Sequence, residues 1–223
     1  MGSREGAAGD TSTRIRDAAL ALFAERGVAA TSLREVARSA GVAPGLIGHH
    51  FGGKEGLREA VDAFVVQRFR EALASVPLEG TTAEIAAGRD AAVARMFATN
   101  PEVIDYLRRV VVTPGPGDIG LARLLIEETI AQTQTLRDHG VTRSGVPVTE
   151  QAVAVLLRQL GTWLLQPTLD RIWQLSGAEG DSPEVRVTLR LPPSGPCPSR
   201  RSAVDGLAPQ GPEAARGHAL SGP

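Results

Sequence analysis

The chain has 223 residues, a formal net charge of −1, 42% hydrophobic and 22% charged residues, and aromatics at only 4%. That balance fits globular material long enough for a small domain and a larger one, and it excludes a global basic field, so any nucleic-acid contact must come from a local surface. No run of 18 apolar residues offers a membrane span, and the lone Cys197 allows no internal disulfide, so a cytoplasmic chain is expected.

Residues 1–9 are small and polar without a period and are expected to form a disordered lead-in. From 14 to 26 the residues Ile15, Ala18, Ala19, Leu22 and Phe23 fall at i, i+3, i+4, i+7 and i+8, the stripe of an amphipathic helix, and Gly27 follows as its terminator. Ser32 and Glu35 form a capping-box pattern, so a second helix runs from there to Ala40 with Leu33, Val36, Ala37 and Ala40 inward. Gly41, Val42 and Ala43 make a turn, and a third short helix starts at Pro44, a favoured first position, and ends near Phe51. Two short helices joined by a Gly-containing turn are a helix-turn-helix arrangement over residues 32–51. The face of the third helix with Pro44, Gly45, Leu46, Gly48 and His49 is too poor in large apolar residues to be core on every side, which leaves it free to face outward.

A long helix is expected from Lys54 to about residue 75, with Leu57, Val61, Phe64, Val65, Phe69 and Leu73 inward and Pro77 as its stop. Further helices are expected over 81–97, from Asn100-Pro101 through Val110, over 119–139, and from 149 to about 175, with Pro167 a kink point and a clear break at 113–117. The fold class is all-α. Met96, Phe97, Tyr106, Trp163 and Trp173 could line a ligand pocket, though helical spacing favours core. Arg95, Arg108 and Arg109 read as a solvated face, and His139 as a residue favoured at a helix C-terminus. After Gly177 the composition shifts to 7 Gly and 8 Pro in 47 residues, so 177–223 is expected to be mostly disordered. Within it, 182–191 reads as a short helix opened by Ser182-Pro183-Glu184, against a strand-like alternation of Val185, Val187, Leu189 and Leu191.

Three segments together, IRDAALALFAERG at 15–27, TSLREVA at 31–37 and AGVAPGLIGHHFGGKEGL at 40–57, resemble the N-terminal domain of the TetR family of bacterial transcription regulators. The resemblance implies a DNA-binding domain over 10–56 and a helical regulatory and dimerisation domain over 57–176. It further implies a homodimer on a palindromic duplex operator, usually a repressor, with a small-molecule effector bound by the C-terminal helices. Carried over by position, it implies phosphate contacts from Ser32 and Arg34, base reading from Pro44, Gly45 and Leu46, a grip on bases or backbone from His49 and His50, and a phosphate anchor in Lys54. Two positions depart from the family. Gly48 stands where a Tyr usually contacts the DNA backbone, and Ala43 where Ser or Thr often caps the reading helix.

The resemblance also implies dimerisation through the last two long helices, the first of them carrying Val153, Leu156, Leu157, Leu160, Leu164 and Leu165; the second would meet Pro192-Pro193 within ten residues of its start. No Ser-His-Asp set, Gly-rich phosphate loop or Cys-His cluster appears, and adjacent His49 and His50 point about 100° apart where a helical metal pair wants i, i+4 spacing. An enzyme, a cofactor and a metal site are therefore not expected. The competing reading is a helical protein-interaction module with weak or lost DNA binding.

Overall fold

A computed structural model describes residues 2–112, 119–142, 145–185 and 187, with the side chains of 2–9 and 112 outside the description. Among the described residues every regular element is a helix: α1 (Gly2–Arg26), α2 (Leu33–Ala40), α3 (Gly45–Phe51), α4 (Lys54–Ala74), α5 (Thr82–Thr99), α6 (Pro101–Val112), α7 (Ile119–Asp138) and α8 (Val148–Leu175). The break expected at 113–117 and residues 186 and 188–223 of the expected tail lie outside the described residues.

Local chemistry sets most of these boundaries. The Ser32 hydroxyl accepts from the Glu35 amide at 3.2 Å while the Glu35 carboxylate accepts from the Ser32 amide at 2.8 Å, so two helix-end donors are satisfied reciprocally. Thr81 and Glu84 repeat the arrangement at the start of α5. Gly41 ends α2 at φ 65°, and the next amide, of Val42, reaches back to the Ala37 carbonyl at 2.9 Å, a geometry that costs glycine least. Pro44 has helical dihedrals but sits at the cap, so α3 begins one residue later than the sequence suggests. Pro167 lies inside α8 and does not end it.

Two expectations are corrected. The lead-in 1–9 was expected to be irregular, yet α1 starts at Gly2: Arg4, Glu5, Ala7 and Ala8 are good helix formers that extend an already nucleated helix. The helix expected at 182–191 is absent from its described part, 182–185 and 187. Pro183 has no amide to donate, the Ser182 hydroxyl bonds to Asp170 instead of capping, and the Val185 amide is taken by the Gln166 side chain at 2.7 Å. The Gln166 side chain also donates to the Pro183 carbonyl at 3.0 Å, Thr162 donates to the Val185 carbonyl at 3.2 Å, and Trp173 donates to the Gly180 carbonyl at 3.1 Å. The segment therefore runs as a strap antiparallel to α8. The seven residue-to-residue steps from Gly180 to Val187 match the stretch of α8 from Trp173 back to Gly161, about 18 Å at 1.5 Å per helical residue, which requires a chain far more stretched than a helix.

One continuous apolar core threads the whole described structure. Ile15, Leu20 and Phe23 of α1, Val36 of α2, Ile47 of α3 and Leu57, Val61 and Val65 of α4 are all within 1% of full burial. The same cluster continues through Val93, Tyr106, Leu107 and Leu121. Phe69, Phe97 and Trp163 close its far end, with ring centroids 5.2 to 5.6 Å apart. The aromatic residues flagged from the sequence thus divide: Met96 and Tyr106 are buried in the core, Trp163 packs at its edge, and Trp173 holds the strap.

Candidate nucleic-acid interface

The third helix, α3, turns Ile47 into the core and packs Phe51 against its edge. Ile47 is fully buried, while Pro44, Gly45, Leu46, Gly48 and His49 are exposed and His50 is half-buried. Leu46 stands 37% exposed, an apolar side chain on an otherwise small outer face. Among the described residues, and apart from the helix's own backbone, neither Gly45 nor Gly48 has a neighbour within 4 Å of where a Cβ would sit, so their packing does not demand glycine at either position. The α3 N-terminus has no side-chain cap, and its first amides bond in tight turns, Leu46 to Ala43 at 3.0 Å and Ile47 to Pro44 at 3.2 Å.

The turn before α3 is pinned by a residue that sequence reasoning missed. Arg14, from α1, donates to the carbonyls of Ala40 at 2.5 Å and Gly41 at 3.3 Å. The partners lie 26 and 27 residues away, so no local pattern could announce them.

Ser32 is exposed but its hydroxyl is committed to Glu35, whose carboxylate also takes Arg26 at 3.1 Å. The Ser32 hydroxyl, then its amide, hold the Glu35 carboxyl below the usual glutamate range, with the positive charges of Arg26 and Arg38 adding to the effect against a small opposing desolvation. Arg34 is exposed in the first turn of α2. Lys54, at the start of α4, donates to the Ala29 carbonyl at 3.1 Å, three residues before the α2 cap. That bond ties the start of α4 to the loop before α2, and a lysine ammonium has two further donors beyond it.

The other half of the described structure contains a cavity of about 230 Å³ between α4, α5, α7 and α8. Phe69, Val93, Leu125, Leu160 and Trp163 supply much of its apolar wall. Among the α8 leucines flagged from the sequence, Leu156 and Leu160 face this cavity, whereas Leu157 and Leu165 are exposed together with Ile172 and Leu175. At 100° per residue these four exposed side chains fall within one 80° stripe.

Residues 15–61 match the family model described as bacterial regulatory proteins, tetR family. The HTH-type transcriptional regulatory protein RaaS of Mycobacterium tuberculosis is 47% identical over 62 residues, 28% of this chain and 29% of that one. The HTH-type transcriptional repressor KstR2 of Rhodococcus jostii is 43% identical over 49 residues, 22% and 24% of the two chains. The matches thus span less than a third of either relative's length. A TetR-family transcription regulator from Shewanella sp. PV-4, described as putative in its crystal structure, shares the fold with a TM-score of 0.62 at 22% identity, covering 75% of this chain and 90% of that one.

Proposed function

We propose that this chain, whose residues 15–61 match the tetR family model of bacterial regulatory proteins, is a cytoplasmic repressor of that family that binds a palindromic duplex as a homodimer and releases it when a small effector fills the cavity. The observation that carries the reading is the outer face of α3. Two glycines in a seven-residue helix each weaken it by roughly 1 kcal/mol relative to alanine, and neither is required by a neighbour within the chain. Bare backbone on a helix face allows close approach to another surface, and here that surface is the major groove.

In this reading Pro44, Gly45 and Leu46 meet base edges, the Leu46 side chain finding thymine methyls, and Gly48 lets α3 seat deeply. His49 and His50 hold bases or backbone. Ser32, Arg34 and Lys54 hold phosphates at the edge of the groove, which fixes register without reading sequence. The apolar stripe of Leu157, Leu165, Ile172 and Leu175 is the face offered to a second copy. The Rhodococcus relative's name, repressor, supports the direction of control.

Selection from a random duplex pool, followed by binding of the selected site across a salt series, tests the proposal. The expected outcome is an inverted repeat bound with affinity that falls linearly in log salt. A chain that sizes as a monomer and enriches no duplex would instead favour the protein-interaction module. An operator placed before a reporter gene tests the sign: expression should fall when the regulator is present.

A further inference from the structure

The cavity wall holds two cations, Arg89 and Arg158, and two anions, Asp90 and Glu128, and the two acids are not shared evenly between the two cations. Asp90 is matched by Arg158 at 3.6 Å and accepts from Gln159 at 3.3 Å. Glu128 is matched by Arg70 at 2.6 Å and accepts from Gln132 at 2.9 Å. Arg89 remains. It is only 9% exposed, and among the described residues its guanidinium has no carboxylate partner, donating instead to the neutral amide oxygen of Gln132 at 3.0 Å. Desolvation pulls its pKa below the usual arginine value, and the more distant charges of Asp90 and Glu128 offset this only in part. A buried guanidinium without an anion is costly, and four of its five N–H donors remain after the Gln132 bond. A second polar group beside the same space is also unfulfilled: the Thr142 hydroxyl is buried without a hydrogen-bond partner among the described residues.

We propose that the cavity binds a small carboxylic acid with an apolar body, its carboxylate paired with Arg89 and its hydrocarbon part lying against Phe69, Leu160 and Trp163. This rests on the reading of the C-terminal helices as an effector site and names the class of effector. A single charge fits because Arg158 takes Asp90 and Arg70, from outside the lining, takes Glu128, which leaves Arg89 without a carboxylate partner among the described residues. A volume of about 230 Å³ lies below the 300 to 1,000 Å³ of sites for drug-sized ligands, so large nucleotide-bearing esters are excluded by size. The guanidinium's planar fork suits a carboxylate in bidentate contact.

Calorimetric titration of the full-length chain with octanoate and with 4-phenylbutyrate, each beside its alcohol and its amine, tests the proposal. At least one acid should bind tenfold or more tighter than its alcohol, with no measurable binding of the amine. Arg89→Met should reduce that preference below threefold, and Arg89→Lys should retain part of it. Equal binding of acid and alcohol, binding of neither acid, or an unchanged preference in Arg89→Met overturns it. Circular dichroism shows whether Arg89→Met folds; if it does not, the comparison of acid, alcohol and amine on the unaltered chain decides. Duplex binding measured on the same samples separates the two claims. Acid preference without DNA binding defeats the regulator reading alone, and DNA binding without acid preference defeats this inference alone.

Discussion

The Tyr106 hydroxyl donates to Asp62 Oδ1 at 2.7 Å, and the two residues are 1% and 2% exposed. The bond joins α6 to α4 in the middle of the core. Hydrogen bonds to buried charged groups contribute about 1.5–3 kcal/mol, so Tyr106→Phe should lower stability by about 2 kcal/mol with almost no change in packing volume. Urea denaturation of the two chains gives the difference directly; a shift under about 0.5 kcal/mol would mean that Asp62 is fully served by its other neighbours.

Gly48→Ala should move stability and DNA affinity in opposite directions. The added methyl meets nothing within 4 Å and the position has no positive φ, so the helix gains about 0.5–1 kcal/mol. The same methyl stands on the face proposed to approach the duplex, so binding should weaken. A thermal melt and an anisotropy titration on one preparation test both signs, and a variant that gains in both would remove the argument for close approach.

Lys54→Ala should reduce affinity about equally for all duplexes and lower the magnitude of the salt slope by about one. Leu46→Ala should instead weaken binding most at duplexes with thymine at the contacted position. The contrast is measured by titrating both variants against the selected site and a scrambled one. If Lys54→Ala leaves the slope unchanged, the lysine serves only the Ala29 carbonyl.

The capping boxes give α2 and α5 an acid-sensitive start. The carboxyl pKa values of Glu35 and Glu84 are lowered in the folded chain, chiefly by the Ser32 hydroxyl and the Thr81 amide respectively. A depressed folded pKa adds stability that is fully present above the unfolded value, about 4.3 for glutamate, and is lost as pH falls through the folded one. Stability should therefore be flat in these groups from neutrality down to about pH 5 and decline below it. Ser32→Ala should shrink that acid limb, which a set of denaturation curves between pH 3 and 7 would reveal.

How much of this was readable beforehand follows from the range of each interaction. The helix-turn-helix was legible because its signals are local: Ser32 and Glu35 are three residues apart, and Gly41 stands where the helix must stop. The outward face of α3 was legible as a lack of large apolar residues. Arg109 was not. Its sequence neighbourhood suggests a solvated face, yet it donates to the carbonyls of Ala24 at 3.0 Å and Glu25 at 2.6 Å, closing the C-terminus of α1 from 84 to 85 residues away. The unmatched charge of Arg89 was equally hidden, since it emerges only once α5, α7 and α8 have assigned their other acids and bases. The alternation of Val185 and Val187 did carry a signal, but its partners are side chains of a helix, so a choice between helix and sheet could not express it.

Val187 rests where a side chain at Gly161 would stand, its Cγ2 occupying the space a Cβ there would need. Gly161 is thus a socket in α8 and Val187 its plug. A shortened version designed to end with the last helix, after Leu175, would leave the socket empty and strip Gln166, Thr162 and Trp173 of their backbone partners. A cut placed after Val187 instead keeps these contacts, and a bulkier residue at 161 would unseat the strap while leaving α1 to α3 untouched.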